Sequence, residues 1–279
     1  MQRTVRIIGP GRAGRSLAIA LERAGWQTSL MGRAERHMAA GVDAVVIATP
    51  DDAVADVAAA LEPDPAVAVV HLSGSLGLDV LAPHQRRGAL HPLTPLPDPD
   101  TGAARLASGI TFAVAGDPVA TDMALALGGR PVVVDDADRA IYHAAACIAS
   151  NHVVALLGQV ERVAASAGLG LEAFLGLTQA ALDDVAHLGP RRALTGPAVR
   201  GDWSTLERHL AALADEERSP YSAGVGLALQ LAADTPAAVV PDAGLAPEEV
   251  GAEEIDDVPE VRVPGGIGAT SVRVGVTVG

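Results

Sequence analysis

The chain has 279 residues, a net charge of −14, 49% apolar residues and only 2% aromatic ones, so it is long enough for two domains with cores of Ala, Val and Leu. The acidic balance excludes a nucleic-acid binder of the usual basic kind, because a polyanion would be repelled. A single cysteine, Cys147, excludes an intramolecular disulfide framework and suits a reducing cytoplasm.

Residues 3–8 read as a strand with no leader pattern before them, so secretion is not expected. The turn Gly9-Pro10-Gly11-Arg12-Ala13-Gly14 follows and opens a helix predicted over 12–24. This is G-x-G-x-x-G in a strand-turn-helix setting, which predicts a dinucleotide site. Gly9 permits the tight turn, Gly11 admits a pyrophosphate, and Gly14 lets the helix lie close to its strand. The helix start at Arg12 and Ala13 turns free N–H groups and the positive dipole end toward the phosphates.

A second strand, near 27–31, leads to Gly32-Arg33-Ala34-Glu35-Arg36. A carboxylate at this strand end holds the ribose of NAD, whereas an arginine accommodates the 2′-phosphate of NADP. Arg33, with Arg36 one helical turn later, favours NADPH over NADH; Glu35, one residue from register, and a plain pair of surface arginines are the alternatives. Residues 42–48 form a near-continuous apolar run, as in a parallel strand covered on both faces. It ends at Thr49-Pro50, placed to line the nicotinamide-ribose side, with Asp51 or Asp52 as a cap for a helix over 54–61.

The next strand, 66–72, brings His71 and Ser73 to another crevice-facing end. A helix is predicted over 79–86, and His91 is held extended before Pro92 in a stiff proline-rich loop. Strands over 110–115 and 131–134, with a helix over 120–127 between them, complete a doubly wound α/β sheet.

The period then changes. Residues 138–167 read as one long helix whose stretch 140–160 carries no formal charge. His143, Asn151, His152 and Gln159 interrupt it, so a membrane span is not expected; the pattern predicts a buried helix at the centre of a helical domain or a dimer interface. His143 and Ser150, seven apart, share a face, with Asn151 adjoining. Shorter helices follow over 171–187, over 205–214 from a Ser204–Glu207 capping box, and from Ser219-Pro220 to about 233. Between the first two lies a compact loop, 194–202, carrying Thr195, Gly196 and Arg200. From Asp234 onward, nine acids face two arginines, half of the chain's net charge. That stretch reads as a mostly disordered acidic tail, with a closing alternation over 271–278 suited to an edge strand. The expected organisation is a dinucleotide domain (1–135), a helical substrate and dimerisation domain (136–233) and the tail (234–279).

The combination of Gly9–Gly14, His71-Leu72-Ser73-Gly74, His91-Pro92-Leu93, Tyr142–Ala146 with Ala149-Ser150-Asn151, and Leu194–Pro197 with Arg200-Gly201-Asp202 resembles a family of unassigned oxidoreductases. That family pairs an N-terminal Rossmann-like domain with a helical C-terminal domain of unknown function. More distantly, the chain is similar to pyrroline-5-carboxylate reductase, ketopantoate reductase and deazaflavin-dependent NADP reductases. The resemblance implies a doubly wound Rossmann-type domain followed by an all-α, 6-phosphogluconate-dehydrogenase-like domain that often forms a homodimer.

A ketopantoate-type site uses a lysine general acid and an asparagine on the long helix. Asn151 matches the asparagine, but all twenty basic residues here are arginine, so lysine chemistry is excluded. Proton transfer then falls to His143 first, His91 second and Tyr142 third. Each has a structural alternative: a hydrogen-bonded core histidine, or a ring that only fixes a loop. Asn151, expected to be buried, must satisfy its amide on a substrate or on a neighbouring helix. Ser150, Thr195, Gly196 and Arg200 are candidates to hold a substrate carboxylate, or else they build an interhelical loop. The histidines lack metal-ligand spacing, so no metal is expected.

The function this implies is a cytoplasmic NADPH-dependent reductase of a small carbonyl or imine acid, a ketopantoate-like 2-oxo acid for example, with no membrane or nucleic-acid partner. A non-catalytic NADP-binding sensor is the alternative. A methyltransferase is a third reading, disfavoured because Arg33 stands where a nucleoside hydroxyl would want an acid.

Overall fold

The computed structural model describes residues 3–32 and 39–233. Arg33, Glu35 and Arg36, and the tail beyond Ala233, lie outside the described residues. The chain through Ala232 forms one compact unit.

Seven strands make one sheet: β1 (Thr4–Ile8), β2 (Gln27–Met31), β3 (Ala44–Ile47), β4 (Ala68–His71), β5 (Arg86–Pro92), β6 (Thr111–Gly116) and β7 (Arg130–Val133), in spatial order 2-1-3-4-5-6-7. Strands β2, β1, β3, β4 and β5 are parallel; β6 pairs antiparallel with β5, and β7 runs parallel with β6. The chain changes direction across the sheet between β1 and β3, the switch point at which open α/β sheets receive ligands.

The apolar runs are buried on both faces as their patterns require. In β3, Ala44 and Val46 join a core with α1 (Arg12–Arg23), α3 (Pro99–Leu106) and α4 (Pro118–Ala126). Val45 and Ile47 face the opposite way, toward α2 (Val54–Ala60). Helix α1 is amphipathic and sinks Ser16, Leu17, Ala20 and Leu21 into the first core. A Cβ on Gly102 of α3 would collide with Ser16 Oγ, so α1 and α3 cross at a point that only glycine permits.

The predicted helix over 79–86 is not formed. A short 3₁₀ turn, Leu78–Leu81, occupies its start, and Arg86 begins β5. The cause is visible at Arg86: its guanidinium forks onto Asp117 (2.8 and 3.1 Å) while also donating to the Ala66 carbonyl, which ties the segment into the sheet. His91 therefore stands on a strand rather than in a loop. Helix α3 is an element the sequence pattern did not suggest; Asp98 caps it by accepting from Thr101 N–H at 2.9 Å, with Pro99 at the first position.

The long helix is one run, Asp136–Ala165, but it is interrupted. After α5 (Arg139–Cys147) comes a π turn, Ile148–His152, and then α6 (Val153–Ala165). The expectation of burial fails in a single copy of the chain: Ile141, Ile148, Val154 and Leu156 are all more than half exposed, and none of the helix's most apolar stretch is buried. By length and composition this helix could cross a membrane, yet its first turns pack on the sheet.

Helices α7 (Glu172–Leu188), α8 (Pro190–Ala193), α9 (Trp203–Ala212) and α10 (Asp215–Ala233) follow. Two boundaries differ from expectation. Asp202, not Ser204, caps α9, because its carboxylate reaches Thr205 N–H at 3.1 Å. Helix α10 starts at Asp215, with three acids in its first turn, and so Pro220 lies inside it. Arg162 of α6 forks onto the buried Glu217 (2.5 and 3.2 Å), which fixes α10 against α6 and holds the Glu217 carboxyl below its ordinary pKa.

Candidate active site at the strand ends

The carboxyl ends of β1, β3, β4 and β5 emerge on one edge of the sheet, and the loops that follow them build the site. At β1 the glycines behave as their spacing predicts. Gly9 has φ +113°, and a Cβ there would meet the Ala48 carbonyl oxygen at 2.6 Å. A Cβ on Gly14 would strike the Gly9 carbonyl oxygen. Gly11 differs: nothing lies within 4 Å of its would-be Cβ, so the turn opens on free space. Gly11 is also the N-cap of α1 and offers no side-chain cap, which leaves the N–H groups of the first turn, including those of Arg12 and Ala13, without a side-chain acceptor. Across this turn, after β3, Thr49 Oγ1 is buried without a partner. Pro50 beside it is exposed. An open glycine turn, an uncapped helix start and an orphaned hydroxyl fit a dinucleotide phosphate and its ribose.

After β4, Ser73 is fully engaged. Its hydroxyl donates to Asp51 Oδ2 at 2.6 Å and accepts from Ser75 N–H (3.2 Å) and Leu76 N–H (3.1 Å). Ser75 also donates to Asp51, at 3.0 Å. Asp51 thus gathers the loop after β4, whereas the sequence suggested a helix cap; the turn it begins has no side-chain cap.

The centre of the site is aromatic and polar. His91 of β5 shares a 2.7 Å hydrogen bond, Nδ1 to Oη, with Tyr142 of α5, the two rings edge to face. His143 also meets His91 edge to face, ring centroids 5.9 Å apart, and its Nε2 is 4.0 Å from Cys147 Sγ. Gly74 closes the group: a Cβ there would meet His143 at 2.7 Å and His91 at 2.9 Å. Only glycine lets the loop after β4 touch both imidazoles.

Burial, reinforced by His143 and Arg139, pushes the His91 pKa down to about 4. Burial and Arg139 do the same for His71, also to about 4, against the opposing pull of the Gly77 backbone. Both rings are therefore neutral at pH 7. Burial raises the Tyr142 pKa, and Arg139 opposes this, so the phenol keeps its proton. Among the described residues no group of His, Cys, Asp and Glu is arranged to hold a metal ion.

The structure does not bring every expected residue here. Asn151 is exposed, contrary to expectation, because it falls in the π turn, about 12 Å along the helix from His143. Ser150 is half-buried in the same turn. Thr195, Gly196 and Arg200 lie in the loop after α8, whose backbone bonds close on themselves (Arg200 N–H to Gly196, Asp202 N–H to Pro197). Arg139 escaped the sequence reading, and Gly74 entered it only within the run His71–Gly74, with no role of its own. Arg139 is 1% exposed although it stands at a helix start, and only its four-residue spacing from His143 hints that it faces the sheet.

Residues 108–225 match the model of a family described as a domain of unknown function, DUF2520. No curated protein matches the sequence. Among solved structures, the chain is similar to a Bacteroides fragilis protein assigned provisionally as an NADP oxidoreductase (20% identity, TM-score 0.70, covering 82% of this chain and 98% of that one). It is also similar to a reductive aminase from Aspergillus terreus in complex with NADPH4, cyclohexanone and allyl amine (18%, 0.62, 82% and 94%). A third is the pyrroline carboxylate reductase of Plasmodium falciparum with NADP bound (13%, 0.55, 82% and 98%). At such identities the likeness establishes the shared fold: a Rossmann-type sheet followed by a helical region.

Proposed function

We propose that the protein is an NADPH-dependent oxidoreductase that reduces a small carbonyl or imine acid. The observation that carries this reading is the His91–Tyr142–His143 group, packed on Gly74 at the same sheet edge as the open Gly11 turn. Support comes from the solved structures above, two of which hold NADP or its relatives in the same fold.

In this reading Gly9–Gly14, with Arg12 and Ala13 at the helix start, holds the pyrophosphate. Thr49, Pro50 and Ser73 flank the nicotinamide ribose, and Arg33 holds the 2′-phosphate, giving NADPH preference over NADH. The bound cofactor supplies a hydride. The chain supplies the proton and the fixed geometry. As hydride reaches the substrate carbon, the Tyr142 phenol would give its proton to the substrate oxygen or nitrogen and recover one through the hydrogen-bonded His91, which solvent reprotonates; His143 offers a second donor beside it. Residues 1–135 serve as the cofactor domain and 136–233 as the substrate and dimerisation domain, with Ser150, Asn151, Thr195, Gly196 and Arg200 on the substrate side. A second copy of the chain covers the exposed apolar face of α5, α6 and α7, and the protein works in the cytoplasm.

The test is direct: incubate the protein with NADPH and a panel of 2-oxo acids and cyclic imines, and follow NADPH absorbance. Oxidation with at least one compound is expected. Tight NADPH binding with no oxidation across the panel would overturn the reductase reading in favour of a non-catalytic NADP sensor. That alternative draws on the absence of lysine from the chain, which leaves the general acid of a ketopantoate-type site without a counterpart, and on the long acidic stretch after Asp234.

A further inference from the structure

The junction between the sheet and the long helix holds an arrangement that the reaction itself does not call for. Asp136, in the 3₁₀ turn Asp136–Asp138 before α5, accepts from Leu78 N–H at 2.8 Å through Oδ2. Its other oxygen, Oδ1, lies 3.3 Å from Arg139 Nε. Arg139 is 1% exposed and reaches across to the Ser73 carbonyl with Nη1, at 3.4 Å. A Cβ on Gly77 would approach Asp136 Oδ2 to 2.9 Å, so the loop lies flat against the carboxylate. One acid and one base thus grip both ends of the segment 73–78, the segment whose Gly74 touches His91 and His143.

We propose that Asp136 and Arg139 are positioning residues, a latch with a buried guanidinium and a surface carboxylate that seats the first turn of α5 on the loop after β4 and so holds Tyr142 over His91. A guanidinium with only one long hydrogen bond to a carbonyl and a loose ion pair is costly to bury. Its Nε lacks hydrogen-bond geometry and its Nη2 has no partner. Such a group adds little to stability, but it fixes geometry because its planar fork spans two partners that a lysine ammonium, a single point charge, would not. Tyr142 lies one helical turn beyond Arg139, on the same face, so any shift of Arg139 shifts the phenol. The importance of that phenol rests on the reductase reading; the latch itself does not.

The chain has two tyrosines, Tyr142 and Tyr221. In a Tyr221→Phe background, the ionisation of Tyr142 is therefore read alone, by ultraviolet difference titration of the full chain. The charged and titratable groups facing the phenol are Arg139 and His91. Loss of the Arg139 charge with the phenol still seated would raise the titration midpoint. Release of the phenol to water would lower it toward the ordinary tyrosine value of about 10. The latch predicts a fall in Arg139→Gln, with circular dichroism confirming a folded chain; a rise or an unchanged midpoint overturns it. If Arg139→Gln does not fold, Arg139→Lys keeps the charge but not the fork. A fall is again expected, and an unchanged midpoint overturns the proposal. Because no turnover is measured, an inactive protein in the substrate panel would overturn the reductase reading and leave this titration intact.

Discussion

At the scale of single residues, the site is governed by what burial does to three rings. His91 and His71 are held neutral with pKa values of about 4, against about 6.5 in an unfolded chain. The unfolded state therefore binds protons first as pH falls. The stability these rings contribute is complete above about 6.5 and is lost between there and about 4, on the order of 3 kcal/mol for His71. Melting temperature should decline steadily across that window; a flat profile from pH 7 to pH 4 would show that neither ring is held neutral. His143→Ala and Tyr142→Phe should each depress turnover, about 10²-fold or more for the true donor, with little change in NADPH affinity. Unchanged turnover in either variant removes that residue as the proton source. Arg33→Asp should weaken NADPH far more than NADH, and an equal loss of both would remove the 2′-phosphate assignment.

At the scale of elements, what could be read in advance depended on whether a segment's neighbours in space are also its neighbours in sequence. The runs 42–48 and 66–72 announce β3 and β4 because a strand buried on both faces needs apolar residues throughout. The glycine turn announces itself because each glycine answers a local steric demand. Strand β5 was hidden, since Arg86 and Arg87 look like a helix end until Asp117, thirty-one residues away, supplies the partner. Helix α3 carried a readable signal in Asp98-Pro99, obscured by the prolines before it. Arg139 shows the limit most plainly: nothing local marks a helix-start arginine as buried, because the carbonyl it meets belongs to Ser73. The α1–α3 crossing gives a prediction at this scale. Gly102→Ala places a methyl group on Ser16 and should cost about 1–3 kcal/mol in urea unfolding, with the slope unchanged; no loss would mean that the two helices slide apart freely.

At the scale of the whole molecule, the sheet has its cores on both faces, while the helices after β7 keep large apolar side chains in water. Leu177 and Val154 are 70% and 68% exposed. A patch of this kind calls for a partner, and the partner proposed above is a second copy of the chain. Sedimentation of the full chain should show a species of two chains, and Val154→Arg should shift it toward one. A monomer at all concentrations would end the dimer proposal.

The π turn at 148–152 has a consequence of its own. A helix that carries one residue more than regular winding needs takes it up in a single wider turn, whose backbone is spread where the helix on either side is tight. Removing a single residue there, Ser150 for instance, would let the winding close to regular α-helical turns while the faces before and after it stay nearly in register, because the wide turn already absorbs the extra residue. The grip of Arg139 and Tyr142 on the sheet edge would survive at one end. At the other, the apolar stripe of α6 would keep its direction, so the extra residue changes what the turn itself presents, Asn151 and its neighbours, and leaves the course of the helix beyond it as it was.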